Sequence, residues 1–228
     1  MDSKHKVHIF QESDSYTCGP CCLAMVYSMK GKKISLKDIL TDFHHPEKGE
    51  ATYLPQLARH LNKEGIKTKV VISTSKALSP AWKDLTKEEL ITQLKEWIPL
   101  HPTNLWLMDV IHLLFYLQEG GEVKQESYSA KTIKEMIDRN SLVILCIDED
   151  WVWEHRFKLK GDKRVINELE GGLEGHFVLV TGYEDNMFHV LDPFPTKIEG
   201  RHGEYDVDEN QLINASLTWD AEILEIMK

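Results

Sequence analysis

A chain of 228 residues, 42% of them hydrophobic and 28% charged, is long enough for one domain with a sizeable core or one domain carrying a large insertion. Its formal net charge of −10 argues against a protein that tracks a phosphate backbone, so no nucleic-acid partner is expected, and the charge serves solubility or attraction of a cationic peptide. The apolar stretch 105–117 is broken by Asp109 and His112 and is shorter than the roughly 20 residues a bilayer span takes, and residues 1–7 carry no apolar signal segment. The expectation is therefore a cytoplasmic protein without a membrane span, its thiols kept reduced.

In chain order, residues 7–10 alternate polar and apolar as a short edge strand. The stretch 11–25 reads as a loop entering the first turn of a helix. Leu23, Ala24, Met25 and Val26 propagate that helix, Gly31 stops it, and Pro20 is tolerated in the first turn. Ser35 caps a short helix to about Phe43. Thr52 caps a helix from Tyr53 to about Lys63, with Leu54, Leu57, Ala58 and Leu61 on one face and Gly65 ending it. Val70, Val71 and Ile72, with Ile66, form a strand. Between 76 and 128 the character changes. A capping signature at Thr86 and Glu89 precedes a helix from Leu90 to Ile98. Asn104 caps a very apolar helix over 105–117, stopped by Gly120 and Gly121. Trp82, Trp97 and Trp106 fall here and are read first as core, with a grip over a cleft as the alternative.

A strand over 123–128 and a helix from Lys131 to Arg139 lead to Leu142–Ile147, a continuous apolar run expected to be a central strand with Cys146 buried in it. The acidic and aromatic stretch 148–155 reads as a solvated loop pinned by Trp151 and Trp153, or else as a lining of the cleft. Residues 156–172 suit a hairpin or mobile loop. Strands over 175–183 and 187–191, a helix over 208–215 and a last strand over 221–227 complete the chain. His189 suits a sheet position, His112 a satisfied core histidine, and His101, His155 and His202 loops.

The chemistry concentrates in two places. Cys18 falls at a helix start, where unpaired backbone N–H groups and the helix dipole favour the negative charge of a thiolate nucleophile. Gln11, seven residues upstream, offers a side-chain amide beside a backbone N–H, the pair an oxyanion needs. Far along the chain, His176 begins a buried-type strand and Asp192 ends the next. Antiparallel pairing across the turn at 184–186 would set them side by side as a base and the group that orients it.

Gln11, then Cys18-Gly19-Pro20, then Gly-His-Phe-Val-Leu-Val-Thr-Gly-Tyr over 175–183, then Leu191-Asp192-Pro193 resembles the papain-like cysteine peptidases of the bacteriocin-processing type, which cut leader peptides after a double glycine. The resemblance covers residues 7–73 and 130–228. It implies an α+β papain-like fold, a helical N-terminal half packed on an antiparallel sheet half. The expected organisation is a single peptidase domain over 1–228 with a helical insertion at 76–128. By the same resemblance Cys18 is the nucleophile, His176 the general base, Asp192 the orienter and Gln11 the oxyanion donor. The expected activity is cleavage of a peptide or isopeptide bond in a peptide or protein substrate, after small residues such as glycine, with deamidation or acyl transfer open to the same site. No transporter segment or nucleotide-binding loop is read in the chain, so a free-standing member is expected, without cofactor or metal. The sequence does not speak to oligomeric state.

Three rivals carry weight. Cys18-Gly-Pro-Cys21 is the four-residue string of thioredoxin-type redox sites. Only 17 residues precede it, however, no βαβ unit surrounds it, and Tyr16-Thr17 stands where a tryptophan is usual. Cys21 lies one turn from Cys18 and could resolve its oxidation; packing in the core is the simpler role. Cys18, Cys21 and Cys22 with His44 and His45 could hold Zn²⁺, but no second ligand pair follows at the required spacing. A peptidase fold emptied of activity and used for binding would have lost the cysteine. The double glycine at Gly171 and Gly172 is explained by a hairpin turn.

Overall fold

Helix α1, Cys18–Met29, buries every residue from Gly19 to Tyr27, as a helix apolar on all sides must, and the rest of the fold is laid around it. The computed structural model describes residues 8–12, 15–43, 51–76, 78–160, 163–172 and 174–228. Gly31, at φ +70°, turns the chain out of α1. A complete capping box between Ser35 and Asp38 starts α2, Leu36–Leu40. Helix α3, Leu54–Lys63, leads into β1, Thr68–Ile72. Tyr53, not Thr52, occupies the N-cap of α3, and the Thr52 hydroxyl is buried without a partner among the described residues.

A short 3₁₀ turn at Pro80–Trp82 is followed by α4, Lys87–Leu100, opened by the capping box of Thr86 and Glu89. Helix α5, Leu107–Gln118, begins two residues later than expected. Asn104 does not cap it; its side-chain oxygen accepts the N–H of Trp106 at 2.8 Å and closes the turn before it. Trp82, Trp97 and Trp106 pack against the core, the first of their two expected roles, and Trp106 also lines the cavity beside Cys18. Then come β2, Glu122–Gln125, α6, Ala130–Asp138, and β3, Leu142–Asp148. The stretch expected as a solvated loop is instead a one-turn helix, α7, Glu149–Trp153, capped by the Asp148 carboxylate and ended by Glu154 at φ +58°. Strands β4, Phe157–Lys160, and β5, Lys163–Ile166, form the expected hairpin. Gly171 is required there: a Cβ at that position would lie 2.6 Å from the Cβ of Arg156.

Strands β6, Gly175–Glu184, and β7, Met187–Leu191, pair antiparallel, and Asp185 takes the left-handed turn between them. Strand β8, Glu204–Asp208, was not foreseen; it precedes α8, Glu209–Thr218, and β9, Glu222–Ile226. The expected strand at 7–10 is absent over its described part. Residues 8–10 are irregular and tied down by the ring of His8, whose Nε2 donates to the Asp192 carbonyl at 2.7 Å.

Among the described residues, seven strands make one sheet in the order β2-β1-β9-β3-β6-β7-β8, mostly antiparallel, with β1 and β2 the one parallel pair. Side chains alternate across it. Ile144, Cys146, Phe177 and Leu179 face α1, α3, α4 and α5. Val143, Leu145, Ile147, Val178 and Val180 face α6, α7 and α8. The fold is thus α+β and papain-like, helices packed on an antiparallel sheet. One feature was not legible: the C-terminal strand β9 is inserted between β1 and β3, joining the strands of both halves into one sheet.

Candidate active site

Cys18 is the first residue of α1, and its helix start is left open: Thr17 at the N-cap makes no capping bond from its side chain, and no acidic residue lies in the first turn. The first backbone N–H groups of a helix have no partner within it, so they converge on whatever negative charge sits there. Cys18 is partly exposed, whereas Cys21, Cys22 and Cys146 are buried, and all four thiols are free. Burial pushes the Cys21 thiol up to about 12, only partly offset by its contact with Thr17. An exchange partner for Cys18 would need the opposite, so the packing role stands and the redox reading loses its second cysteine.

His176 sits at the second position of β6, fixed by its register opposite Ile147 of β3. Gly175 before it is pressed against Trp219, whose indole lies 2.2 Å from where a Cβ would be. Asp192 follows the last residue of β7. The antiparallel pairing of β6 and β7 brings the two together: His176 Nε2 donates to Asp192 Oδ1 at 2.7 Å, with both side chains buried. Burial alone would lower the His176 pKa. The Asp192 charge, the hydrogen bond to it and a hydrogen bond with Cys18 outweigh burial and raise it to about 10. Since Nε2 is taken by Asp192, Nδ1 is the ring nitrogen left for the thiol. Burial would push Asp192 up, but the charge and hydrogen bond of His176 and the donors of Tyr205 and Phe194 hold it below the usual value.

Gln11 is brought to the same corner, its backbone N–H donating to the Pro193 carbonyl at 2.8 Å. Its side chain is buried. The amide nitrogen donates to the Ser15 carbonyl at 2.8 Å, and the amide oxygen has no partner among the described residues. One of its two N–H groups is therefore committed within its own loop.

Sequence reasoning missed the groups that surround Asp192. Its Oδ1 also accepts the Phe194 N–H at 2.8 Å. Its Oδ2 accepts Trp153 Nε1 at 3.1 Å and the Tyr205 hydroxyl. Trp153 was read as an anchor and is one, buried beside the His176 ring at 5.4 Å between centroids. Trp151, its expected companion, is half-exposed. Tyr205 lay in the unforeseen strand β8.

A cavity of about 250 Å³ opens beside Cys18, lined by Tyr16, Thr52, Trp106, Phe177 and Trp219, with Asp109 and Asp220 in its wall. Burial raises Asp109 and its hydrogen-bonded neighbour Glu222, so the two acids favour shared protonation; in the sequence Asp109 stood out only as a break in an apolar run. A larger groove between the β4–β5 hairpin and residues 194–201 reaches Trp153 and Phe194 but contains neither Cys18 nor His176. His112 departs from expectation. It stacks on Tyr53, but its Nδ1 is buried with no partner among the described residues. His44 and His45 lie outside the described residues, and no metal-binding cluster occurs among those described. No helix among them is long and apolar enough to cross a membrane.

Residues 6–96 match the model of the Peptidase C39 family, a span that contains Gln11 and Cys18 and ends before His176 and Asp192. A Bacillus anthracis crystal structure described as a C39-like peptidase aligns with 98% of this chain and 95% of its own, at 11% identity and a TM-score of 0.46. The peptidase domain of Streptococcus ComA, a bi-functional ABC transporter involved in quorum sensing, aligns over 97% and 98% at 13% identity and a TM-score of 0.44. No curated protein matches the chain. Through the match at residues 6–96, the N-terminal part of the chain is similar to the Peptidase C39 family of cysteine peptidases.

Proposed function

We propose that Cys18, His176 and Asp192 form the catalytic triad of this peptidase, with Gln11 as oxyanion donor, and that it hydrolyses a peptide or isopeptide bond in a peptide or protein substrate. The observation that carries the reading is the 2.7 Å contact of His176 with Asp192, with Cys18 at an open helix start hydrogen-bonded to the same ring.

In this mechanism the thiol proton already rests on His176 Nδ1, the two groups forming an imidazolium–thiolate pair, and the Cys18 sulfur attacks the acyl carbon. The oxyanion is met by the backbone N–H at Cys18 and the uncommitted N–H of Gln11, a donor of this kind lowering the barrier by about 2.7–4 kcal/mol. The C–N bond breaks as His176 returns the proton to the leaving amine. Water then adds to the thioester, giving a proton to His176, and the acid departs as the imidazolium–thiolate pair is restored. Asp192 stays ionised throughout and stabilises the imidazolium. An amine in place of water would make the site a transferase, and a glutamine side chain as substrate would make it a deamidase; hydrolysis is the reading the family match favours.

We read 1–228 as one peptidase domain with 76–128 as its insertion, since α4 packs on α5 and α5 on α3 beside the site. A reducing compartment such as a cytoplasm suits the free thiols. Profiling a peptide library with the wild type and Cys18→Ala tests the function. Cleavage by the wild type alone is expected, with small residues such as glycine before the cut. Equal cleavage by both proteins would overturn the nucleophile, and a strict need for bulky residues there would overturn the glycine preference.

A further inference from the structure

We propose that Tyr205 and Trp153 are positioning residues of the catalytic site: by donating to the Asp192 oxygen that faces away from His176, they lock the carboxylate in the orientation and charge state that His176 needs. The inference deepens the triad reading and rests on it.

A fully buried carboxylate is costly unless its oxygens are met by donors, and it offers about four acceptor sites. His176 and the Phe194 N–H use Oδ1. Without further partners Oδ2 would be a buried bare charge, which rotation of the carboxyl group or uptake of a proton would relieve. Either response would break the bond to His176. Trp153 Nε1 and the Tyr205 hydroxyl occupy Oδ2 instead, so all four donors are in place at once. They come from four places in the fold: α7, β6, the turn after β7, and β8. The packing is as directed as the bonding. Trp153 lies 5.4 Å from the His176 ring and 5.1 Å from Phe194, so the residue that holds the carboxylate also walls the imidazole. Burial and the Asp192 charge push the Tyr205 phenol well up, which keeps its proton available to donate. The titratable and charged groups around Asp192 are His176 on β6, Tyr205 on β8, Cys18 and Cys22 on α1, His8 on the N-terminal segment, and Arg201, which lies over the Tyr205 ring at 5.4 Å.

The test is Tyr205→Phe, which removes one hydroxyl, with Trp153→Phe as a second variant that removes the indole donor. Two readouts are followed across pH: peptide turnover, and the rate of Cys18 alkylation by iodoacetamide, which needs no substrate. Turnover should fall about 10- to 100-fold with KM little changed. In both readouts the acid limb should move to higher pH by about one unit, because Asp192 with a donor missing takes up a proton more readily. Melting temperature is measured alongside. Profiles superimposable on the wild type in both variants would overturn the proposal. So would lower activity with an unmoved acid limb, since simple loss of packing scales the curve without shifting it. If the wild type shows no turnover while Cys18 alkylation still shifts in the variants, the positioning role stands and the hydrolytic reading fails. If the wild type turns over peptide and neither variant shifts, the reverse holds.

Discussion

At the scale of single residues, the His176–Asp192 pair ties the site's protonation to the protein's stability. In the unfolded chain a histidine titrates near pH 6.5. In the folded protein His176 holds its proton to about pH 10. Between those values the native state binds the extra proton, so stability falls as pH rises through the window. The contribution is complete below about pH 6.5 and is lost as pH climbs through about 10. Asp192, held low, works in the other direction: its contribution is present above the unfolded carboxylate value and is lost as the pH falls through its folded value. Thermal melts should therefore show wild-type stability declining from pH 7 to pH 10, and Asp192→Asn should flatten that decline because it removes the charge that raises His176. The variant should also lose about 1–3 kcal/mol at neutral pH, since its amide nitrogen would face donors where the carboxylate accepted them. An unchanged alkaline slope in Asp192→Asn would show that the pair does not set it.

At the scale of elements, close packing holds the strand that presents His176. Trp219, at the end of α8, lies flat against Gly175, and there is no room for a methyl group between them. Gly175→Ala should cost about 1–3 kcal/mol by overpacking and lower activity by moving the start of β6, both readable from urea unfolding and turnover. Retention of full activity and stability would mean that Trp219 swings aside. The same elements show what the sequence could reveal. Cys18 was legible because a helix start leaves local marks in Pro20, the apolar residues after it and Gly31. The pairing of His176 with Asp192 was legible because a short turn fixes the register of two consecutive strands. The helix α7 was not, since one turn is too short to display a 3.6-residue period. Strand β8 does alternate, Tyr205 and Val207 inward and Glu204 and Asp206 outward, but its last residue is also the cap of α8 and had been assigned to that helix. With β8 went Tyr205, and with it the reason Asp192 can remain charged in a dry corner.

At the scale of the whole molecule, the sheet is assembled by contacts distant in sequence. Strand β9 pairs with β1, some 150 residues earlier, and with β3 on its other side; all five of its residues are buried. No local pattern announces such a partner, which is why two halves were expected where one sheet runs through both. Removal of residues 220–228 should expose the facing edges of β1 and β3 and abolish cooperative unfolding; a truncated protein with an intact near-ultraviolet dichroism spectrum would contradict this placement. The central claim, that Cys18 is the nucleophile activated by His176 and held by Asp192, is tested most directly by mapping limited iodoacetamide alkylation of the native protein by mass spectrometry, in the wild type and in His176→Ala. Modification is expected at Cys18 alone, several-fold slower in the variant. Modification of Cys21 or Cys22 with Cys18 spared, or a rate indifferent to His176, would contradict it.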